Sequence, residues 1–155
     1  MNDSLPSVSL IRPDGTEVPL PSLVGDKTIV LFFYPKDHPS GCTAEACSFR
    51  DSYEDFKKAG AEVIGVSSDD AASHDSFKQK FRLPFTLLTD RDGVAAKALE
   101  IKKTFGLIKG RVTFVIDRHG KIRHRFESQV QVLKHVSEAL EVVRQLEAER
   151  LKPAS

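Results

Sequence analysis

Two cysteines, Cys42 and Cys47, are the only thiols in the chain, and they fall close enough to share one helix. A thiolate is a nucleophile and a metal ligand, and a nearby second thiol can trap what the first one makes. At 100° per residue from Cys42, Ala46 lies at about 40°, Phe49 at about −20°, Tyr53 at about 20° and Phe56 at about −40°. Cys42 therefore shares an apolar, core-facing stripe, while Cys47, at about 140°, lies with Asp51, Glu54 and Lys58 on the flank. On an intact helix their Cα atoms stand roughly 8.7 Å apart, beyond the roughly 7 Å limit for a disulfide. The contour between them is short, so unwinding the first turns would bring them together. The spacing thus predicts a two-state element, wound when reduced and unwound when bonded.

Cys42 follows Gly41 at the expected helix start, where unpaired backbone amides and the positive dipole end favour an anion. Cysteines so placed have pKa values lowered from about 8.5 into a range of about 3.5 to 7.5. A value of about 6 would raise the thiolate fraction at pH 7 from roughly 3% to roughly 90%. Intrinsic nucleophilicity falls along with pKa, so fast chemistry also needs help in the transition state. Three other readings compete. Cys42 can be plain core packing, since free cysteine is among the most buried residue types. Cys42, Cys47 and His38 or His74 can be metal ligands, although a Cys-x4-Cys pair without a second pair is not a usual zinc pattern. A thioredoxin-like redox protein normally carries Cys-x-x-Cys, which is absent here.

The elements that would position these thiols are legible from periodicity. Residues 28–34 (TIVLFFY) form a continuous apolar run of the kind buried on both faces of a sheet, and Ala61–Ser67, 85–89 and 112–117 repeat it. Helical patterns cover 43–59, Ala71–Phe81, 94–100 and Val132–Leu151, with Gly60 as the stop of the first. In the last, Leu133, Val136, Leu140 and Val143 form one stripe that should lie on the sheet. Residues 9–20 read as an edge hairpin around Pro13-Asp14-Gly15, and Arg118-His119-Gly120 turns the strand at 112–117 into another at 121–127. The alternation predicts an α/β protein with a central mixed sheet flanked by helices.

With 155 residues, 40% hydrophobic and 29% charged, the composition is that of an ordinary globular chain, one domain over 1–155 with 152–155 fraying. Such a chain needs neither metal nor disulfide to fold, and no cofactor is implied. A net charge of +1 argues against nucleic acid as a partner. No run approaches the roughly 18 apolar residues of a membrane span, and residues 1–9 lack a secretory signal, so the expected location is cytoplasmic.

Tyr34-Pro35-Lys36-Asp37, followed by Gly41-Cys42-Thr43-Ala44-Glu45-Ala46-Cys47-Ser48-Phe49-Arg50-Asp51, resembles the Q-type peroxiredoxins, also called bacterioferritin comigratory proteins. The likeness continues through Ala61–Ser67, Leu83-Pro84-Phe85-Thr86-Leu87-Leu88 and Gly110-Arg111-Val112-Thr113-Phe114-Val115-Ile116-Asp117, nearly the whole chain. It implies a thioredoxin-like fold and a monomeric peroxidase acting on hydrogen peroxide and organic hydroperoxides. Cys42 would be the peroxidatic cysteine, oxidised to a sulfenic acid, and Cys47 the resolving cysteine that closes an intramolecular disulfide. Thioredoxin, or glutaredoxin, would be the reductant. Arg111 matches the arginine that approaches the peroxidatic sulfur, Pro35 the proline that shields its pocket, and Glu45 an orienting partner for an arginine. Read alone, Arg111 is a strand-capping surface residue, Pro35 a strand terminator and Glu45 a first-turn acid. The family places Thr three residues before the peroxidatic cysteine; Pro39 stands there in this chain, and the hydroxyl of Ser40 is one residue out of register. The rival functions are a protein thiol-disulfide oxidoreductase and a noncatalytic redox-responsive binding protein.

Overall fold

A computed structural model of the chain describes residues 4–37, 40–102 and 110–151. The strands and helices, in chain order, are β1 (Ser9–Ile11), β2 (Glu17–Pro19), β3 (Thr28–Phe33), α1 (Ser40–Asp51), α2 (Tyr53–Lys58), β4 (Ala61–Ser67), α3 (Ala71–Phe81), β5 (Thr86–Thr89), α4 (Val94–Ala98), β6 (Val112–Ile116), β7 (Ile122–Glu127) and α5 (Val132–Leu151). The strands form one sheet in the order β2-β1-β5-β4-β3-β6-β7, parallel across β5-β4-β3 and antiparallel toward both edges. This is the expected mixed α/β sheet with an N-terminal hairpin at one edge.

Side chains alternate across a strand, so β3 supplies two cores at once. Val30 and Phe32, with Tyr34 just beyond the strand, enter a cluster with Phe49, Phe56, Phe77 and Val136, covered by α1, α2, α3 and α5. Ile29, Leu31 and Phe33 enter a second cluster with Leu10, Leu20 and Leu99 on the opposite face. The continuous apolar run of β3 is thus explained by burial at every position of the strand.

Several boundaries differ from expectation. The helix expected over 43–59 starts earlier, at Ser40, and kinks at Ser52, whose ψ is 4°. Ser52 N–H still donates to Ser48 O and Phe56 N–H to Ser52 O, so the axis bends while the hydrogen-bond ladder continues. α4 ends at Ala98 rather than at residue 100, where Glu100 takes a left-handed φ of 59°. On α5, Leu133 is 64% exposed and does not belong to the packed stripe. Measured from Val136, the buried His135, Ala139, Val143 and Leu146 span about −100° to 0°, whereas Leu133 falls at about 60°. The expectations for His38, for Pro39 and for fraying at 152–155 fall outside the described residues.

Candidate active site

The pairing of β3 with β6 determines where the chemistry can occur. Phe33, the last residue of β3, is opposite Val112, the first of β6, so the segment leaving β3 runs beside the residue that enters β6. That residue is Arg111. Period-two alternation puts Arg111 and Thr113 on the same side as Val115, the face covered by α1 and α5. Cys42, in the first turn of α1, points at the same face and is 2% exposed.

Arg111 spans two groups of α1. Its Nη1 donates to Glu45 Oε1 at 2.7 Å and its Nη2 donates to Cys42 Sγ at 3.3 Å. Gly41 permits this approach, since a Cβ there would stand 3.3 Å from Arg111 Nη2. Cys42 and Glu45 are neighbours on a helix at i and i+3, so one planar fork reaches both. The Lys36 backbone amide, from the segment between β3 and α1, also favours the thiolate. Cys47 is half-buried, and both thiols are free. Both lie on one wound helix, Ser40–Asp51, with no disulfide between them.

Of the sequence-derived candidates, Cys42, Glu45 and Arg111 converge within hydrogen-bond distance, and Cys47 lies further along the same helix, on its flank. Pro35 is half-buried in the segment after β3. Ser40 opens α1, and its side chain is outside the described residues. His74 is committed elsewhere: Nδ1 is 2.8 Å from Asp37 Oδ2 and Nε2 is 3.0 Å from the Leu88 carbonyl.

The ionisation of Cys42 corrects the sequence reading. Burial pushes the thiol up from its ordinary value, outweighing the downward pull of the Arg111 cation and of the Lys36 N–H, and the Glu45 charge adds to the rise. The helix start alone does not give a low-pKa cysteine, because the same turn buries the sulfur against Phe49 and Ala46. Glu45 is likewise pushed up by burial, to about 7, against the pull of Arg111.

Three polar residues escaped the sequence reading. Asp37, fully buried, accepts from Tyr34 Oη at 2.6 Å and Ser73 Oγ at 2.9 Å, and its own N–H donates to Asp69 Oδ2 at 2.7 Å, which ties the Pro35 segment to α3. Thr113 and His135 stand behind Glu45, with Thr113 Oγ1 2.8 Å from His135 Nδ1. The alternation that places Arg111 on the α1 face places Thr113 there too, and His135 precedes Val136 on the apolar stripe of α5. Those were the available signals.

A buried cysteine in the first turn of the helix after a core strand, with an arginine from the adjacent antiparallel strand on its sulfur, defines a thioredoxin-like protein built around one thiol. The model of the AhpC/TSA family matches residues 1–125. The chloroplastic peroxiredoxin Q of Triticum aestivum is 47% identical over 142 residues, which are 91% of this chain and 65% of the relative. The chain therefore spans just under two thirds of the length of that curated relative. Among solved structures, peroxidoxin BcpB from Mycobacterium tuberculosis superposes with a TM-score of 0.84 at 32% identity, covering 94% of this chain and 96% of the other. The bacterioferritin comigratory protein of Xanthomonas campestris, studied for alkyl peroxide reduction, gives 0.80 at 31%, covering 90% and 92%. The chain belongs to the AhpC/TSA family, and within it to the Q-type peroxiredoxins.

Proposed function

We propose that the protein is a thiol peroxidase that reduces hydrogen peroxide and organic hydroperoxides through Cys42. The observation that carries this reading is the 3.3 Å contact between Arg111 Nη2 and Cys42 Sγ. The Cys42 thiolate attacks the distal oxygen of the hydroperoxide, the O–O bond breaks, and the alkoxide or hydroxide leaves as an alcohol or water after taking a proton. Cys42 becomes a sulfenic acid, and the peroxide is reduced by two electrons. A guanidinium at the sulfur stabilises the thiolate and faces the oxygens between which charge moves, which answers the raised resting pKa with transition-state help. The alkyl peroxide activity named for the Xanthomonas campestris neighbour supports organic hydroperoxides as substrates.

In the second half-reaction the Cys47 thiolate attacks the Cys42 sulfenic sulfur, water leaves, and a disulfide forms. The two residues sit on one wound helix, so the first turns of α1 must unwind, releasing Glu45 and Cys42 from Arg111. A thioredoxin dithiol, or a glutaredoxin, then reduces the disulfide. The chain acts as a monomer in a reducing compartment, the cytoplasm, where that reductant is available.

A coupled assay with thioredoxin and its reductase tests the reading. Cys42→Ser is expected to abolish hydroperoxide consumption. Cys47→Ser is expected to form one sulfenic acid per chain and to stall without turnover. Steady turnover by Cys42→Ser would overturn the assignment of the peroxidatic thiol, and normal recycling by Cys47→Ser would overturn that of the resolving one.

A further inference from the structure

His135 is fully buried on α5, one side chain behind the peroxidatic centre. Its Nε2 faces the Ser128 carbonyl at 2.8 Å, an acceptor that requires a hydrogen on that nitrogen. Its Nδ1 faces the Thr113 hydroxyl at 2.8 Å and Glu45 Oε2 at 3.5 Å. Glu45 Oε1 is taken by Arg111, whereas Oε2 has no hydrogen-bond partner among the described residues. A carboxylate oxygen and an imidazole nitrogen, both acceptors, thus face one another in a buried position unless one of them carries a proton.

We propose that His135, with Thr113, is a positioning residue of the Cys42 centre: Nδ1 is the acceptor toward which Glu45 is held as a neutral acid, leaving the Arg111 cation with the Cys42 thiolate as its counter-ion. The proposal rests on the peroxidase reading and deepens it. In water the shared proton belongs to the imidazole. On burial it leaves Nδ1 and binds Glu45 Oε2, while the Nε2 hydrogen remains, so the pair stays neutral overall and loses its two separate charges. The ionisation of each group agrees, since burial pushes His135 down to about 4 and Glu45 up to about 7. Other charges act on His135 from each side: Arg111, just before β6, and His124 on β7 disfavour the imidazolium, and Glu138 on α5 favours it. An ionised Glu45 raises the Cys42 thiol, so a neutral one removes that opposition while its Oε1 still accepts from Arg111.

The test has two arms. Nitrogen-15 imidazole spectra of the wild-type protein are expected to show His135 neutral, with its hydrogen on Nε2, from roughly pH 5 to 8. An imidazolium at pH 6 would overturn the proposal. In a Cys47→Ser background, His135→Phe is expected to shift thiol ionisation to higher pH and to slow sulfenic acid formation about tenfold at pH 7. His135→Asn, which returns an acceptor to the place of Nδ1, is expected to recover most of that loss. Thr113→Val, a smaller change, is expected to slow the reaction about threefold. An ionisation curve and rate for His135→Phe that match the parent would overturn the role of His135 even if the protein is an active peroxidase. A wild-type protein that consumes no hydroperoxide would instead overturn the peroxidase reading itself. If His135→Phe does not fold, the wild-type spectra and Thr113→Val decide.

Discussion

Two buried histidines each face a buried carboxylate, and the two carboxylates are shifted in opposite directions. His74 meets Asp37 at 2.8 Å, and its other nitrogen meets the Leu88 carbonyl, so both ring nitrogens face acceptors. Burial acts to raise Asp37, but it is outweighed by hydrogen bonds from His74, Tyr34 and Ser73, which hold the carboxyl below its ordinary value. His135 meets Glu45 at 3.5 Å with one nitrogen committed to a carbonyl, and Glu45 is pushed up by burial to about 7 although Arg111 pulls the other way. Residue type does not decide the charge; the number of donors aimed at each carboxylate does. The Asp37 pair is a latch that fixes the segment after β3 to α3. The Glu45 pair borders the sulfur and has a proton to place.

Arg111→Met attacks the reactive side of this comparison most directly and carries the largest expected effect. It should slow sulfenic acid formation by about 10² to 10³ while leaving the latch intact. Stopped-flow oxidation of the Cys47→Ser background measures it. A loss below tenfold would mean that the guanidinium does not act in the transition state.

Substituting the carboxylates one at a time separates the two pairs by stability. Asp37→Asn removes a buried carboxylate that accepts hydrogen bonds from Tyr34 and Ser73 and faces His74, and should destabilise the fold by about 3 kcal/mol. Glu45→Gln replaces a group already neutral at pH 6 by an isostere, and should cost about 1 kcal/mol or less. Urea unfolding at pH 6 gives both values. Equal losses would show that the two carboxylates are ionised alike.

The sequence made one side of this comparison visible and hid the other. Cys42 and Glu45 are close in the chain, so helix periodicity alone places them on neighbouring faces. Arg111 is legible only through the family motif around it, because its strand context alone reads as a surface cap. The bounds of α3 and α5 followed from apolar periodicity and are those observed. The latch and the His135 pair depend on which helix covers which strand, a fact no local pattern carries. Asp37 is held by Ser73 and His74 of α3, and His135 by Thr113 of β6 and the Ser128 carbonyl. The direction of the Cys42 shift failed for a related reason: the dipole argument is local, whereas the burial that overrides it is assembled by several elements at once.

The smallest expected effect is the response of the two pairs to pH, and its signs differ. Asp37 has a folded pKa below its ordinary 3.8, so its contribution is present above that value and is lost as pH falls through the lowered one. Glu45 runs the other way: raised from 4.5 to about 7, its contribution is complete below 4.5 and is lost as pH rises through about 7. His135, lowered from 6.5 to about 4, loses its contribution as pH falls from 6.5 toward 4. Between 4.5 and 6.5 the gain of a proton by Glu45 and its loss by His135 cancel, so the pair is level there and weakens on either side. Amide exchange in the first turns of α1 should therefore accelerate beyond the intrinsic chemical rate as pH rises from 6.5 through about 7, and Glu45→Gln should abolish that excess. Exchange in α3, tied by the latch, should show no such excess in either protein. An unchanged excess in Glu45→Gln would place the responsible titration on another group.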